Sequence, residues 1–143
     1  MGLAEVARTL AVWALAGLRE RLTAAYRYFC LNHSPSEIAH GLWRGKYEVR
    51  GWMQRLYEVA NAGGPVNARH LRIARLVDRA YEELLGVEPA VVPHNGGYYC
   101  RLCERYVATV VNAAERHVSV VHRELVEELA ARILRLCTEG RPA

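Results

Sequence analysis

Residues 98–122 read YYCRLCERYVATVVNAAERHVSVVH. In this stretch two residues separate Cys100 from Cys103, thirteen residues follow, and four residues separate His117 from His122. Thiolates and imidazoles at such spacings are typical of a tetrahedral zinc site. We therefore expect these four side chains to bind Zn²⁺. Because protein would fill all four positions, the metal should be structural and not catalytic.

Local patterns predict the elements that carry these ligands. The run Tyr106 to Val111 is rich in β-branched residues and predicts a short strand. Asn112 is followed three residues later by Glu115, which is the pattern of a capping box. We expect a helix to begin there and to continue to about Cys137.

The spacing of the two histidines sets a geometric condition on that helix. Residues five positions apart on a regular helix diverge by about 140° at 3.6 residues per turn. His117 and His122 can meet one metal only if the turn between them is irregular. The sequence therefore predicts a break or bulge between these histidines.

The segment from Tyr98 to His122 resembles a two-cysteine, two-histidine zinc finger. Tyr98 stands where such fingers carry an aromatic residue, Val107 takes the place of their core phenylalanine, and Ala114 takes that of their core leucine. The resemblance implies a hairpin that supplies both cysteines and a helix that supplies both histidines. The alternatives are a Cys100–Cys103 disulfide or a set of ordinary residues.

In zinc fingers, helix positions before the first histidine contact bases. They correspond here to Val110, Ala113 and Arg116, of which only Arg116 has a side chain suited to a base edge. The resemblance therefore implies a structural module with little capacity to read DNA.

A second signal precedes this module. Ser34, Pro35 and Glu37 form a strong helix start, and Gly45 marks a break after about Trp43. The next helix should run from Lys46 to about Asn61, where Gly63-Gly64-Pro65 ends it.

The segment Pro35 to Leu56 resembles a helix-turn-helix DNA-binding unit. The apolar positions agree, but Trp43 stands at the usual glycine of the turn. The resemblance implies that the second helix contacts double-stranded DNA. The candidate contacts of this unit are Arg44, Lys46, Tyr47, Arg50, Gln54 and Arg55. The alternative is an amphipathic helix pair with solvated arginines.

A further helix is expected from Val66 or Asn67 to Leu85. Four arginines share one face of it, and Arg69 and Arg72 are candidate phosphate contacts. The alternative is a solvated face that nearby acidic residues neutralise.

The first thirty residues predict one long helix from Leu3 to Asn32, apolar nearly all round in its first half. Such a helix is buried in a core or against another subunit, and we expect a homo- or hetero-oligomer contact. The run Thr9 to Leu18 is too short to span a membrane, and no clear cleavage site follows it. We expect an intracellular protein without a membrane partner.

Residues 86–97 contain prolines and an Asn-Gly-Gly run, and they predict a linker and turn. We therefore divide the chain into a helical DNA-binding and oligomerisation domain, residues 1–88, and a zinc module, residues 89–143. The fold class is mainly α: a helical domain with a helix-turn-helix-like unit, followed by a ββα-like module that continues into a long helix.

The composition also limits the function. The 143 residues are 52% hydrophobic and 24% charged, which is typical of a folded protein. The +4 net charge results from eighteen arginines and one lysine set against fifteen acidic residues. Arginine suits phosphate contacts, although heat adaptation produces the same bias. No phosphate loop or catalytic triad is evident, so we expect no enzyme. Cys30 and Cys137 have no metal spacing and are either buried thiols or a disulfide.

These patterns favour a zinc-containing, double-stranded DNA-binding regulator located in the cytoplasm or nucleoid. One alternative is a DNA-coating protein, such as the nucleocapsid subunit of a filamentous archaeal virus, which would be found in the virion. The other is a zinc-braced adaptor that contacts only protein.

Overall fold

A computed structural model describes residues 2–60 and 66–139. Within these residues the fold is mainly α, as the sequence predicts, with seven helices and one small antiparallel sheet. The elements are α1 (Gly2–Leu15), α2 (Arg19–Phe29), α3 (Pro35–Leu42), α4 (Lys46–Val59), α5 (Val66–Leu85), β1 (Val91–His94), β2 (Gly97–Cys100), β3 (Arg105–Ala108), α6 (Val111–Val121) and α7 (Arg123–Glu139).

The expected single helix from Leu3 to Asn32 is wrong, because the chain breaks between α1 and α2. Gly17 has a φ of 74°, in the left-handed region where glycine carries no steric penalty. The carbonyl of Leu15 accepts a 2.7 Å hydrogen bond from the amide of Ala90, beside β1. A contact with a distant part of the chain thus occupies the C-terminal end of α1.

Helix α1 lies at the centre of the hydrophobic core. Val6, Leu10 and Trp13 are almost completely buried, and both α5 and α7 pack against this helix. Its apolar surface is therefore covered within the chain and does not by itself require another subunit. The expected oligomer stays a prediction. One buried cluster includes residues from both 1–88 and 89–143, and the division into two domains also stays a prediction.

The predicted start of α3 is confirmed. Ser34 accepts from the amide of Glu37, and Glu37 accepts from the amide of Ser34, so the capping box is complete. Helix α4 begins at Lys46 and ends at Val59. The predicted end near Asn61 and the Gly63-Gly64-Pro65 stop lie outside the described residues.

Residues 86–97 contain more structure than the predicted linker. Val91–His94 form β1, which pairs antiparallel with β2, and β2 pairs with β3. Pro93 is compatible with β1 because this strand lies at the edge of the sheet, where a missing amide donor costs little. The predicted strand at Tyr106 to Val111 begins one residue earlier and ends three earlier, as Arg105–Ala108.

The predicted irregularity between the two histidines is confirmed. Helix α6 ends at Val121, His122 has non-helical angles of φ −109° and ψ 36°, and α7 begins at Arg123. The predicted cap at Asn112 is wrong. Val110 takes the N-cap position without a side-chain hydrogen bond, and Glu115 points into the core instead of completing a box. None of the described helices is both long and apolar enough to cross a membrane.

Candidate metal centre

The hairpin of β2 and β3 supplies two thiols. Cys100 is the last residue of β2 and is fully buried, while Cys103 lies in the turn. The amide of Cys103 donates to the sulfur of Cys100 at 3.4 Å, which draws the turn around that sulfur. Glu104 then takes a left-handed backbone with φ 54°, and β3 begins at the next residue. The hairpin implied by the zinc-finger resemblance is therefore confirmed.

Helix α6 and its end supply two imidazoles. His117 lies within α6, and His122 occupies its C-cap, where its amide donates to the carbonyl of Val118. Because the helix stops at His122, the two rings come together with their centroids 5.0 Å apart. The interruption of the helix thus brings the second imidazole to the same point in space as the first.

The four side chains converge on one position. One ligand atom from each of Cys100, Cys103, His117 and His122 lies within 4.8 Å of all the others. Nε2 of His122 lies 3.3 Å from Sγ of Cys100 and 3.5 Å from Sγ of Cys103, and Nε2 of His117 lies 3.5 Å from Sγ of Cys103. These residues form a cluster that could hold a metal ion.

Hydrogen bonding alone explains this cluster poorly. An imidazole Nε2 has either one proton or one lone pair, so it can form only one good hydrogen bond in the ring plane. Nε2 of His122 is nevertheless almost equally close to the sulfurs of Cys100 and Cys103. A cation between the four atoms would account for both distances at once.

The electrostatic environment affects the two kinds of ligand differently. Desolvation, with additional effects of His122 and Arg105, lowers the pKa of His117 and so favours the neutral imidazole that binds metals. Desolvation and the neighbouring Cys100 raise the pKa of Cys103. Metal binding at this site therefore has to displace a thiol proton, as it does in other thiolate sites.

All four cysteines of the chain are free thiols, including Cys30 and Cys137.

A buried ion-pair network adjoins the candidate metal centre, and the sequence patterns did not reveal it. Glu115, two residues before His117, accepts from Arg21 of α2 at 3.0 Å and from Arg55 of α4 at 2.8 Å. The guanidinium of Arg21 also lies over the rings of Trp13 and Trp52. One signal was present: Arg21 falls on the apolar stripe of α2, where a charged residue has to find a buried partner.

The candidate DNA contacts on α4 and in the turn before it divide into two groups. Lys46, Tyr47, Arg50 and Gln54 are exposed, and the cationic groups of Lys46 and Arg50 lie 5.2 and 5.3 Å from the ring centroid of Tyr47. The amide of Gln54 donates to Glu58 at 3.5 Å.

The second group is held in ion pairs within the chain. Arg44 donates to both carboxylate oxygens of Glu20, at 2.8 and 3.1 Å, and lowers the pKa of that carboxyl. Arg55 is held by Glu115. The charges of Arg44 and Arg55 are therefore at least partly balanced inside the protein.

The other candidate contacts lie on different helices. Arg69 on α5 is half-buried and donates to the carbonyl of Tyr57 at 3.3 Å, whereas Arg72 is exposed. Arg116 on α6 is exposed and lies one residue before His117. Arg69, Arg72 and Arg116 therefore lie on other helices than the exposed group on α4.

The turn between α3 and α4 contains an unexpected feature. Trp43 takes the left-handed backbone, with φ 58°, and caps α3 by donating its amide to the carbonyl of Ala39. Its side chain is 95% exposed. The sequence identified Trp43 only as the residue in place of a glycine, and its exposure was not foreseen.

Comparison with known proteins does not assign the chain to a family. No protein-family model, no curated protein and no solved structure matches it.

Proposed function

We propose that this protein is a zinc-containing, double-stranded DNA-binding protein in which the metal is structural and α4 contacts the DNA. The observation that carries the proposal is the two-sided character of α4. Val49, Met53 and Leu56 bury one face, and Lys46 and Arg50 are exposed to solvent beside it. A rigid helix with an exposed basic face is the usual means of entering the major groove.

The distances in the metal cluster support zinc. Zinc lies about 2.3 Å from a thiolate and about 2.0 Å from an imidazole, so a tetrahedral angle separates sulfur from nitrogen by about 3.5 Å. Three of the four sulfur-to-nitrogen distances, 3.3, 3.5 and 3.5 Å, match this value. Two thiolates with two imidazoles in a tetrahedral set favour zinc over harder cations. Four protein ligands leave no position for a substrate, so we assign the site no catalysis.

Metal analysis of the purified protein tests the zinc assignment. We expect one zinc per chain in the wild type and almost none in Cys103→Ala. Cys30→Ala is the matched control, because it removes a thiol outside the cluster and should retain the metal. Equal zinc content in wild type and Cys103→Ala would contradict the assignment.

The charges on α4 support DNA as the partner. Within the described part of the chain, neither Lys46 nor Arg50 has a carboxylate partner, in contrast to Arg44 and Arg55. Their positive charge is therefore available to phosphate oxygens or to guanine. Gln54, about one turn after Arg50, has the amide that pairs with adenine.

The turn also supports the helix-turn-helix interpretation. A left-handed residue near the turn explains why glycine is common there. Trp43 adopts that backbone although it is not glycine. The backbone conformation at this position is therefore the one expected for a helix-turn-helix, although the residue type is not.

Binding to labelled duplexes tests the DNA proposal. We expect the affinity for a sequence selected from a random pool to exceed that for random duplex by about a thousandfold or more. Arg50→Ala should relax this preference, and Lys46→Ala should weaken binding to all duplexes and reduce the slope of log affinity against log salt by about one. Arg135→Ala is the matched control, because it removes the same charge from an exposed arginine on α7.

The outcomes separate the alternatives. Cooperative binding without sequence preference would contradict a regulator and would favour a DNA-coating protein. No salt-dependent DNA binding at all would overturn the proposal and favour a protein-contact adaptor.

A further inference from the structure

Trp43 is the exception among the three tryptophans of the chain. Trp13 is 0% and Trp52 is 9% exposed, whereas Trp43 is 95% exposed. An indole ring is the largest aromatic surface that a protein can present, and leaving it in water forgoes the stabilisation that burial provides. Packing within this chain therefore does not explain a tryptophan at position 43.

The backbone does not explain it either. Trp43 has φ 58°, a conformation that is unfavourable for a bulky residue and costless for glycine. Gly45, two residues later, has φ −76°, a backbone angle that any residue can adopt. Folding alone would favour glycine at position 43. Strain combined with near-complete exposure is typical of a residue that contacts a ligand.

The neighbours of Trp43 indicate which ligand. Lys46, Tyr47 and Arg50 follow it at the beginning of α4, and Tyr47 is itself 71% exposed with both cations near its ring. Alternation of exposed aromatic rings and cations suits nucleic acid, because bases stack on the rings while phosphates meet the cations. This charge complementarity favours DNA over an uncharged partner.

We propose that Trp43 stacks on an unpaired or unstacked base next to the duplex that α4 contacts, so that the protein prefers DNA with an opened step. The inference rests on the proposed DNA-binding function and adds to it the class of DNA that is bound. Residues that insert between or against bases in this way are known to be apolar or aromatic, and they exploit steps that are already weakened.

Tryptophan fluorescence provides a direct test, since Trp43 is the exposed member of the three. The DNA probes are a short, fully paired duplex and the same duplex lacking one nucleotide in one strand. We expect the gapped duplex to quench the wild-type emission and to bind about tenfold more tightly than the paired duplex, as stacking of one base allows. Trp43→Ala should bind both duplexes equally and show no quenching.

Trp43→Gly separates binding from folding. Glycine relieves the left-handed backbone, so this variant should be at least as stable as the wild type to urea and should still lose the preference for the gapped duplex. Trp43→Phe should keep part of the preference. A preference for the gapped duplex that survives in Trp43→Gly would overturn the inference.

Anisotropy of the labelled DNA distinguishes the two proposals. Binding without a change in Trp43 emission would overturn the stacking inference and leave the DNA-binding proposal intact. No binding to either duplex, measured on the same samples, would overturn both. Binding to anionic lipid vesicles in place of DNA would likewise overturn both proposals.

Discussion

The carboxylate of Glu115 accepts a 2.8 Å hydrogen bond from Arg55 and thereby joins the helix that carries His117 to α4. Its other oxygen accepts from Arg21 at 3.0 Å. The side chains of Glu115 and Arg21 are 7% and 11% exposed, so this pairing takes place largely away from water. The candidate metal centre and the helix proposed to contact DNA therefore share one structural junction.

Glu115→Gln should destabilise the protein by about 3 kcal/mol, because it leaves the Arg21 guanidinium buried without its counter-charge. Urea denaturation monitored by circular dichroism measures the loss. Glu127→Gln, which removes an exposed ion pair with Arg8, should cost no more than about 1 kcal/mol. Equal losses of unfolding free energy in the two variants would show that the Glu115 junction stabilises the fold no more than an exposed ion pair does.

Removal of the proposed zinc ion should lower the melting temperature of the wild type by roughly 10 °C or more, because the free energy of structural metal binding contributes to folding. The measurement compares thermal melts with and without a strong chelator. Cys103→Ala should melt at the lower temperature in both conditions, and Cys30→Ala should respond to the chelator as the wild type does. A chelator effect that persists in Cys103→Ala would place the metal elsewhere.

Gly17 and Gly96 allow a matched comparison, since both have positive φ, at 74° and 80°. An added Cβ at Gly17 would lie 2.9 Å from the carbonyl oxygen of Val91, whereas nothing lies within 4 Å at Gly96. We expect Gly96→Ala to cost about 1 kcal/mol from the backbone alone, and Gly17→Ala to cost about 1–3 kcal/mol more from the clash. Urea denaturation of both variants measures the difference, and similar losses would contradict the close approach of Gly17 to β1.

Burial, with a smaller effect of Asp78, raises the pKa of Cys30 to about 11. A folded-state pKa above the unfolded value means that the thiol contributes stability below the unfolded pKa and loses it as the pH rises through about 11. The stability of the wild type relative to Cys30→Ala should therefore fall between about pH 8.5 and pH 11. Unfolding free energies of both proteins across this range provide the measurement. A difference that does not change with pH would mean that Cys30 is not shielded from water.

Local patterns were sufficient for part of the fold. The capping box of Ser34 and Glu37 depends on residues three apart, and the irregularity at His122 follows from helical geometry and the ligand spacing alone. The hairpin that carries Cys100 and Cys103 was likewise implied by a short motif. These features are predictable because the interacting groups are close in the sequence.

Long-range contacts decided the rest. The break after Leu15 coincides with a hydrogen bond to Ala90. The sequence of β1 contains a proline and does not indicate a strand, and β1 forms because it pairs with β2. Glu115 appeared to be a capping residue, and its true partners lie 60 and 94 residues away. No local pattern can report such distances.

The sequence by itself determined the four residues of the candidate metal cluster, the helical class and the position of the interruption at His122. Only the tertiary structure decided which charges remain available on the surface, because an arginine is balanced or free according to the carboxylates that folding brings near it. Arg44 and Arg55 are paired by contacts distant in the chain, while Arg50 faces solvent on the same helix as Arg55. Exposure of Trp43 is likewise a property of packing, and packing is a property of the whole chain.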